Sequence, residues 1–499
     1  MSESNMERPQ DRIPTGVPGL DTVLHGGLLR RGVYMLQGRP GAGKTILTNQ
    51  MCFHHAAQGG RVLYATLLAE THERLLFNLE PLTFFDTSRI PEQISYLSAF
   101  ATLEQGGLKG LVEVLRREAR ARQATLLVVD GLVTVEESAQ SKRDFKRFIH
   151  ELQIHANLVD CTILVLTSSG EDTVGPEHTM VDGVIELSDN RWGRRAEREL
   201  EVKKFRGSSY LRGGHAFQIT HDGIVVFPRI EALLQDPSRE DPCKANRVST
   251  GIAQLDTMLH AGLPCASTSV LFGPTGAGKT TFGLHFLNEC SKEEPGLLFG
   301  FYETPARLLL KARALGLDLD KKQKQGVFDM LWHPPTERIL DALGNKLLET
   351  VRERGVKRLF VDGVEGFRQS AAHPERISHF LAALNNELRV LGVTTLYTSE
   401  LQEMYSQEVR LPISGISSLV ENIFFLRFVE LHSKLHRMLS VVKMRDSDYD
   451  SSLQEYRITS RGIALADTFQ GAQSVLSGDA KKPATPPRRK KGLPKKRSR

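Results

Sequence analysis

Residues 38–45 read GRPGAGKT, and residues 273–280 read GPTGAGKT. Both satisfy G-x-x-x-x-G-K-[ST], the pattern of a phosphate-binding loop whose glycines let backbone N–H groups close around phosphate oxygens. In this reading Gly38, Gly41 and Gly43 form one cradle, and Gly273, Gly276 and Gly278 form the other. Lys44 and Lys279 reach the β- and γ-phosphates, and Thr45 and Thr280 hold Mg2+ through their hydroxyls. The same letters can also spell a surface Gly-rich turn, so the flanks decide. Val33-Tyr34-Met35-Leu36 and Ser269-Val270-Leu271-Phe272 are short apolar runs suited to buried strands. Residues 45–57 and 280–290 are helix-compatible. Each loop is therefore expected between a strand and a helix, giving two ATP sites in one chain.

The duplication extends beyond the loops. Residues 12–45, RIPTGVPGLDTVLHGGLLRRGVYMLQGRPGAGKT, match residues 247–280, RVSTGIAQLDTMLHAGLPCASTSVLFGPTGAGKT, without a gap. Thr15-Gly16, Leu20-Asp21 and Leu24-His25 recur as Thr250-Gly251, Leu255-Asp256 and Leu259-His260. Second strands are expected at residues 61–66 and 297–301, each followed by an acid and a helix. Residues 126–130 (LLVVD) and 358–362 (RLFVD) are apolar strands ending in an aspartate, the Walker B pattern. Asp130 and Asp362 then sit beside the loops and bind the water shell of Mg2+. Amphipathic helices at 143–156 and 374–390 and strands at 162–167 and 393–398 follow. Strands alternating with helices predict an α/β fold: two tandem domains, each a mostly parallel sheet with helices on both faces.

The expected boundaries are a polar tail at 1–11, a domain at 12–234, a linker at 235–246, a second domain at 247–467 and a basic tail at 468–499. The linker contains QDPSREDPCKA, which is polar and carries two prolines. The net charge of +6 comes from the end of the chain. Residues 480–499 hold ten Lys or Arg and no acid, and without them 55 basic residues face 59 acidic ones. That tail is expected to be disordered. It reads either as a solubilising segment or as an electrostatic hook for nucleic acid or another polyanion. No run of about 18 apolar residues is present, so no membrane span is expected. The N-terminal residues are polar and lack a secretory pattern. Five scattered cysteines without C-x-x-C argue against a disulfide framework or zinc site and fit a reducing cytoplasm.

The repeated TG-x-x-x-LD-x-x-L-x-x-GL ahead of an early phosphate loop, and the doubling itself, resemble the KaiC family of two-domain RecA-like ATPases. The resemblance covers residues 12 to about 467 and is most specific at residues 416–463. It implies a homohexamer of two stacked rings, with ATP between neighbouring subunits and signalling proteins as further partners. In ELEVKKFR (199–206) and LSVVKMR (439–445), Lys204 and Arg206, and Lys443 and Arg445, stand two apart on predicted strands and share a face. Such pairs are often a solvated strand face. Their recurrence favours a clamp on triphosphate charge supplied in trans.

Hydrolysis needs a carboxylate that orients or deprotonates water. The family usually places two adjacent glutamates after the second strand. Here Glu70 and Glu303 align with the second member, while Ala69 and Tyr302 occupy the first. Each site keeps one candidate base, though both glutamates also suit a helix N-terminus. Ser417 and Ser418 align with the family's phosphoacceptor pair, or form a polar turn. Tyr302 is a poor base near neutral pH, and Asp446 replaces a glycine after Lys-x-Arg. Both changes count against kinase activity. The leading expectation is a slow ATPase with a serine autokinase function, acting as a signalling switch. The alternatives are a DNA-associated RecA-like motor and a nucleotide-bound scaffold with little turnover.

Overall fold

The computed structural model describes residues 11–67, 72–168, 179–236, 246–336, 338–401, 415–431, 434–445 and 447–466. The chain forms two compact units, Met1–Gln235 and Asp236–Arg499. Each is built on a nine-stranded sheet.

In the first unit the strand order is Gly223–Phe227, Gly214–Thr220, Arg195–Phe205, Gly183–Trp192, Val33–Gly38, Thr162–Thr167, Leu126–Asp130, Val62–Thr66, Ile94–Ser98. Pairing is parallel from Gly183–Trp192 to Ile94–Ser98 and antiparallel through the last three strands of the chain order. The second unit repeats this order around Thr268–Gly273, with Arg358–Asp362 and Thr394–Glu400 on one side and Asn422–Leu431 on the other. The predicted α/β architecture of mostly parallel sheets flanked by helices is the one observed.

The continuous apolar runs follow from burial on both faces. Along Val33–Gly38, Tyr34 and Leu36 join one core cluster, while Val33 and Met35 join another. Leu126 and Val128 divide from Leu127 and Val129 in the same way. Successive side chains leave a strand on opposite faces, so a strand with helices on both sides needs apolar residues at every position.

The repeated Thr-Gly and Leu-Asp pairs have a structural cause. The Asp21 carboxylate accepts from the Thr15 backbone N–H at 2.9 Å and from its hydroxyl at 2.7 Å. Asp256 accepts from Thr250 in the same two ways, at 2.8 and 2.7 Å. A carboxylate with two donors clips the turn that leads the chain under its sheet, and each such charged bond contributes about 1.5–3 kcal/mol.

Three details differ from the sequence expectation. The helix expected over 374–390 is a 3-10 turn, Pro374–Arg376, followed by the helix Ile377–Val390. Arg206 and Arg445 fall just beyond strands that end at Phe205 and Met444. Cys52, Cys161 and Cys290 are buried free thiols, but Cys265 is disulfide-bonded, which the sequence did not suggest. Among the described residues no helix is long and apolar enough to cross a membrane. The basic tail, Glu70 and Asp446 lie outside the described residues.

Candidate functional site

In both units the central strand ends at the first loop glycine and a helix starts at the loop lysine. The helices are Lys44–Ala57 and Lys279–Asn288. Gly43 and Gly278 cap them at φ 105° and 100°, a left-handed conformation that suits glycine. Neither helix has a side-chain cap bond, so first-turn N–H groups remain available to an anion, aided by the helix dipole. A Cβ added at Gly41 or Gly276 meets nothing within 4 Å, so the loop mouths are open.

The two lysines are held alike. Lys44 Nζ donates to the carbonyl oxygens of Gly38 at 2.5 Å and Arg39 at 3.1 Å. Lys279 Nζ donates to those of Gly273 at 2.7 Å and Pro274 at 3.0 Å. Burial lowers the pKa of both. Asp130 opposes that shift at Lys44, and Glu400, Glu365 and Asp362 oppose it at Lys279. The phosphate loops thus agree in backbone and lysine but differ in their surrounding charge.

Asp130 and Asp362 end the strands beside the loops. Asp130 pairs with Thr66 across the sheet, and Asp362 pairs with Gly300. The Thr280 hydroxyl donates to Asp362 at 2.9 Å, and the Thr398 hydroxyl donates at 2.8 Å. Burial raises the Asp362 pKa against these two bonds. In the first unit the Tyr64 hydroxyl donates to Asp130 at 2.8 Å from within the sheet. Strand pairing puts Leu298 at the corresponding place in the second unit. A threonine hydroxyl beside a carboxylate at the foot of an open N–H cradle is a hard-oxygen donor set, and it fits Mg2+ carried by a triphosphate.

The second unit adds carboxylates that the sequence reading missed. Glu365, three residues after Asp362, is buried, and its Oε1 accepts from the Ser399 hydroxyl at 2.5 Å and the Glu400 N–H at 3.0 Å. Burial raises its pKa. Glu400 pairs with Gly273 across the sheet, and its carboxylate accepts from the hydroxyl of Thr275 in the loop itself. The corresponding residues of the first unit are Val133 and Ser168. The available signal was position: Glu365 follows, and Glu400 forms, the C-terminal end of a parallel strand, where such sheets bind ligands.

Glu303 lies close enough to Asp362 to raise its pKa further, and its own carboxylate is paired with Lys311 Nζ at 2.5 Å. Tyr302 is 51% exposed and packs against Gly363, where an added Cβ would meet its ring at 2.4 Å. Burial, Glu365 and Glu400 raise its phenol pKa, so even less of it is ionised to act as a base near neutral pH. Eight residues separate Thr66 from the buried Leu75, whereas seven separate Gly300 from its counterpart Leu308. The first unit therefore carries one extra residue in the segment that includes Glu70.

The structure does not bring the Lys-x-Arg pairs to the phosphate loop of their own unit. Lys204 pairs with Val184, and Gly183 pairs with Tyr34, near the start of the strand whose far end carries the loop. Lys204 Nζ donates to the carbonyl oxygens of Thr179 at 3.0 Å and Val181 at 2.7 Å, and Arg206 donates to Thr179 at 2.8 Å. Lys443 Nζ donates to the carbonyl oxygens of Ser417 at 2.6 Å and Val420 at 2.7 Å. Burial and the adjacent arginine lower the pKa of both lysines. Ser417 and Ser418 lie in the turn of helix Ile416–Leu419, ahead of Asn422, which pairs with Ser269. From Ser269 to Gly273 the strand covers roughly 13 Å, so these serines stand across the sheet from their own loop.

Two strand–loop–helix cradles, each with its paired aspartate on a parallel sheet, define a P-loop ATPase with two RecA-like units. A family model described as ATPase: KaiC matches residues 13–231 and again residues 248–468. The chain belongs to the KaiC ATPase family. It is 26% identical over 488 residues to the circadian clock oscillator protein KaiC 1 of Synechocystis sp., covering 94% of this chain and 91% of that protein. It is 26% identical over 489 residues to the circadian clock oscillator protein KaiC of Picosynechococcus sp., covering 94% and 92%. Against the KaiC of Synechococcus elongatus the identity is 24%, with coverage of 94% and 91%.

Proposed function

We propose that each unit binds Mg-ATP at its phosphate loop and hydrolyses it slowly, in a homohexamer whose nucleotides lie between neighbouring subunits. The observation that carries this reading is the distance between each Lys-x-Arg pair and its own loop. A clamp on triphosphate charge built from Lys204 and Arg206, or from Lys443 and Arg445, has to act on the nucleotide of a neighbour. In each unit the cradle N–H groups and Lys44 or Lys279 hold the phosphates. Thr45 with Asp130, and Thr280 with Asp362, hold Mg2+. Bound Mg2+ neutralises charge that develops on the phosphate oxygens. Glu70 and Glu303 are the proposed water-orienting carboxylates.

Phosphoryl transfer to Ser417 or Ser418 is a second reading. Its support is the same geometry: the serines precede the strand Asn422–Leu431 at the end of the sheet opposite their own loop, and the Ser417 carbonyl accepts from Lys443. The partner of such a ring is a signalling protein that reads its nucleotide or phosphorylation state.

Light scattering after size-exclusion chromatography, with and without Mg-ATP, tests the assembly. The reading expects a hexamer with nucleotide and smaller species for the Lys44→Ala, Lys279→Ala double variant. Equal masses for both would contradict nucleotide at the interface. Intact-mass spectrometry after incubation with Mg-ATP tests the serine reading. A phosphate increment absent from the Ser417→Ala, Ser418→Ala variant supports it, and an unchanged mass in the parent rejects it. Phosphate release stimulated strongly by single-stranded DNA would favour a motor instead.

A further inference from the structure

We propose that Lys311 is a brake on the second nucleotide site, holding Glu303, the proposed water-orienting carboxylate, in an ion pair. This inference rests on the reading of Glu303 given above.

Three observations converge. Glu303 Oε1 and Lys311 Nζ are 2.5 Å apart, and both side chains are roughly one-third exposed, so the pair is reached by solvent. Tyr302 occupies the neighbouring position and packs on Gly363, leaving no second carboxylate there to take over. Lys311 is particular to this unit. Leu308 and Leu75 are the matching buried positions of helices Pro305–Ala314 and His72–Leu79, so Lys311 corresponds to Asn78 in the first unit. An asparagine carries no charge and forms no such ion pair.

Hydrolysis forms a bond from a water oxygen to the γ-phosphorus. The bond from that phosphorus to the bridging oxygen breaks, and its electron pair leaves on ADP. The water's proton passes to the Glu303 carboxylate and then to the departing phosphate. An ammonium on that carboxylate competes for the lone pair that must face the water and opposes its protonation. Lys311 is thus a positioning residue that acts through Glu303.

The test uses the full chain carrying Lys44→Ala, which silences the first site. Steady-state phosphate release is measured for Lys311→Asn, Lys311→Gln and Lys311→Arg in that background. The expected result is a rise in kcat of roughly three- to five-fold for Asn and Gln, the scale of one partly exposed ion pair. KM stays within about two-fold, because phosphate binding is untouched. Arg retains the parent rate by restoring the pair, and adding Lys279→Ala removes the gain. An unchanged or lower kcat in both Asn and Gln variants overturns the brake. Binding of a fluorescent ATP analogue to the Lys44→Ala chain separates the two layers. Absence of binding rejects the site reading and the brake with it, whereas binding with unaltered kcat rejects the brake alone.

Discussion

The hydroxyl of Thr280 donates to the carboxylate of Asp362 at 2.9 Å, tying the last residue of the second phosphate loop to the end of strand Arg358–Asp362, which lies one strand beyond the loop strand's own neighbour Thr394–Glu400. The contact places a hydroxyl and a carboxylate oxygen where a divalent cation on a triphosphate would meet both. Asp362→Asn keeps the shape and removes the charge. In a Lys44→Ala background it is expected to lower Mg-dependent phosphate release by roughly ten-fold or more. A magnesium titration of the rate checks this, and an unaltered titration would remove Asp362 from the metal site.

The first unit secures its aspartate differently, through the Tyr64 hydroxyl at 2.8 Å. Tyr64 is fully buried. Tyr64→Phe removes one buried hydrogen bond to a charged group, which costs about 1.5–3 kcal/mol. Urea unfolding followed by a probe in the first unit should show the midpoint fall, while Leu298→Val in the second unit leaves that transition in place.

Glu400 puts a carboxylate beside the loop at Thr275 and Lys279. It repels an incoming triphosphate. Glu400→Gln retains a hydrogen-bonding side chain without the charge, and it should tighten binding of a fluorescent ATP analogue by roughly three- to ten-fold at low salt. The gain should shrink as ionic strength rises. Equal affinity at every salt concentration would show that Glu400 does not feel the phosphates.

Burial raises the Glu365 pKa above its unfolded value. The folded state then binds more protons than the unfolded state between those two values, so stability falls as pH rises through that window. It opens at the ordinary glutamate value of about 4.3. Glu365→Gln should therefore melt at a higher temperature than the parent above the window and at nearly the same temperature near pH 4. Thermal melts at both pH values check the sign, and a lower melting temperature for the variant at pH 7.5 would contradict it.

Much of this was legible because both faces of each sheet are covered. Val33 and Met35 turn one way and Tyr34 and Leu36 the other, so the strands read as unbroken apolar runs beside their loops. Glu365, Glu400 and Lys311 were not legible. Each is an ordinary charged letter at a helix start, a strand end or a helix face, and only the pairing of Glu400 with Gly273 and the turn from Glu303 to Lys311 bring them to one site. Lys204 and Arg206 were found, but their place across the sheet from their own loop depended on the register of Gly183 with Phe205.

The matching register of Asn422 with Met444 in the second unit carries a prediction about assembly. Arg445→Ala chains and Lys279→Ala chains should each lose second-site hydrolysis as pure rings. Mixed rings should recover part of it, because an intact loop then meets an intact arginine on a neighbour. Failure of mixing to restore any activity would place the arginine and the loop in the same chain.

One chain holds two equivalent phosphate cradles with unequal chemistry around them. The direct measurement is the number of nucleotides bound per chain at saturating Mg-ATP, with Lys44→Ala and Lys279→Ala as controls. Two nucleotides are expected in the parent chain and one in each variant. One nucleotide in the parent, or an unchanged count in either variant, would contradict it.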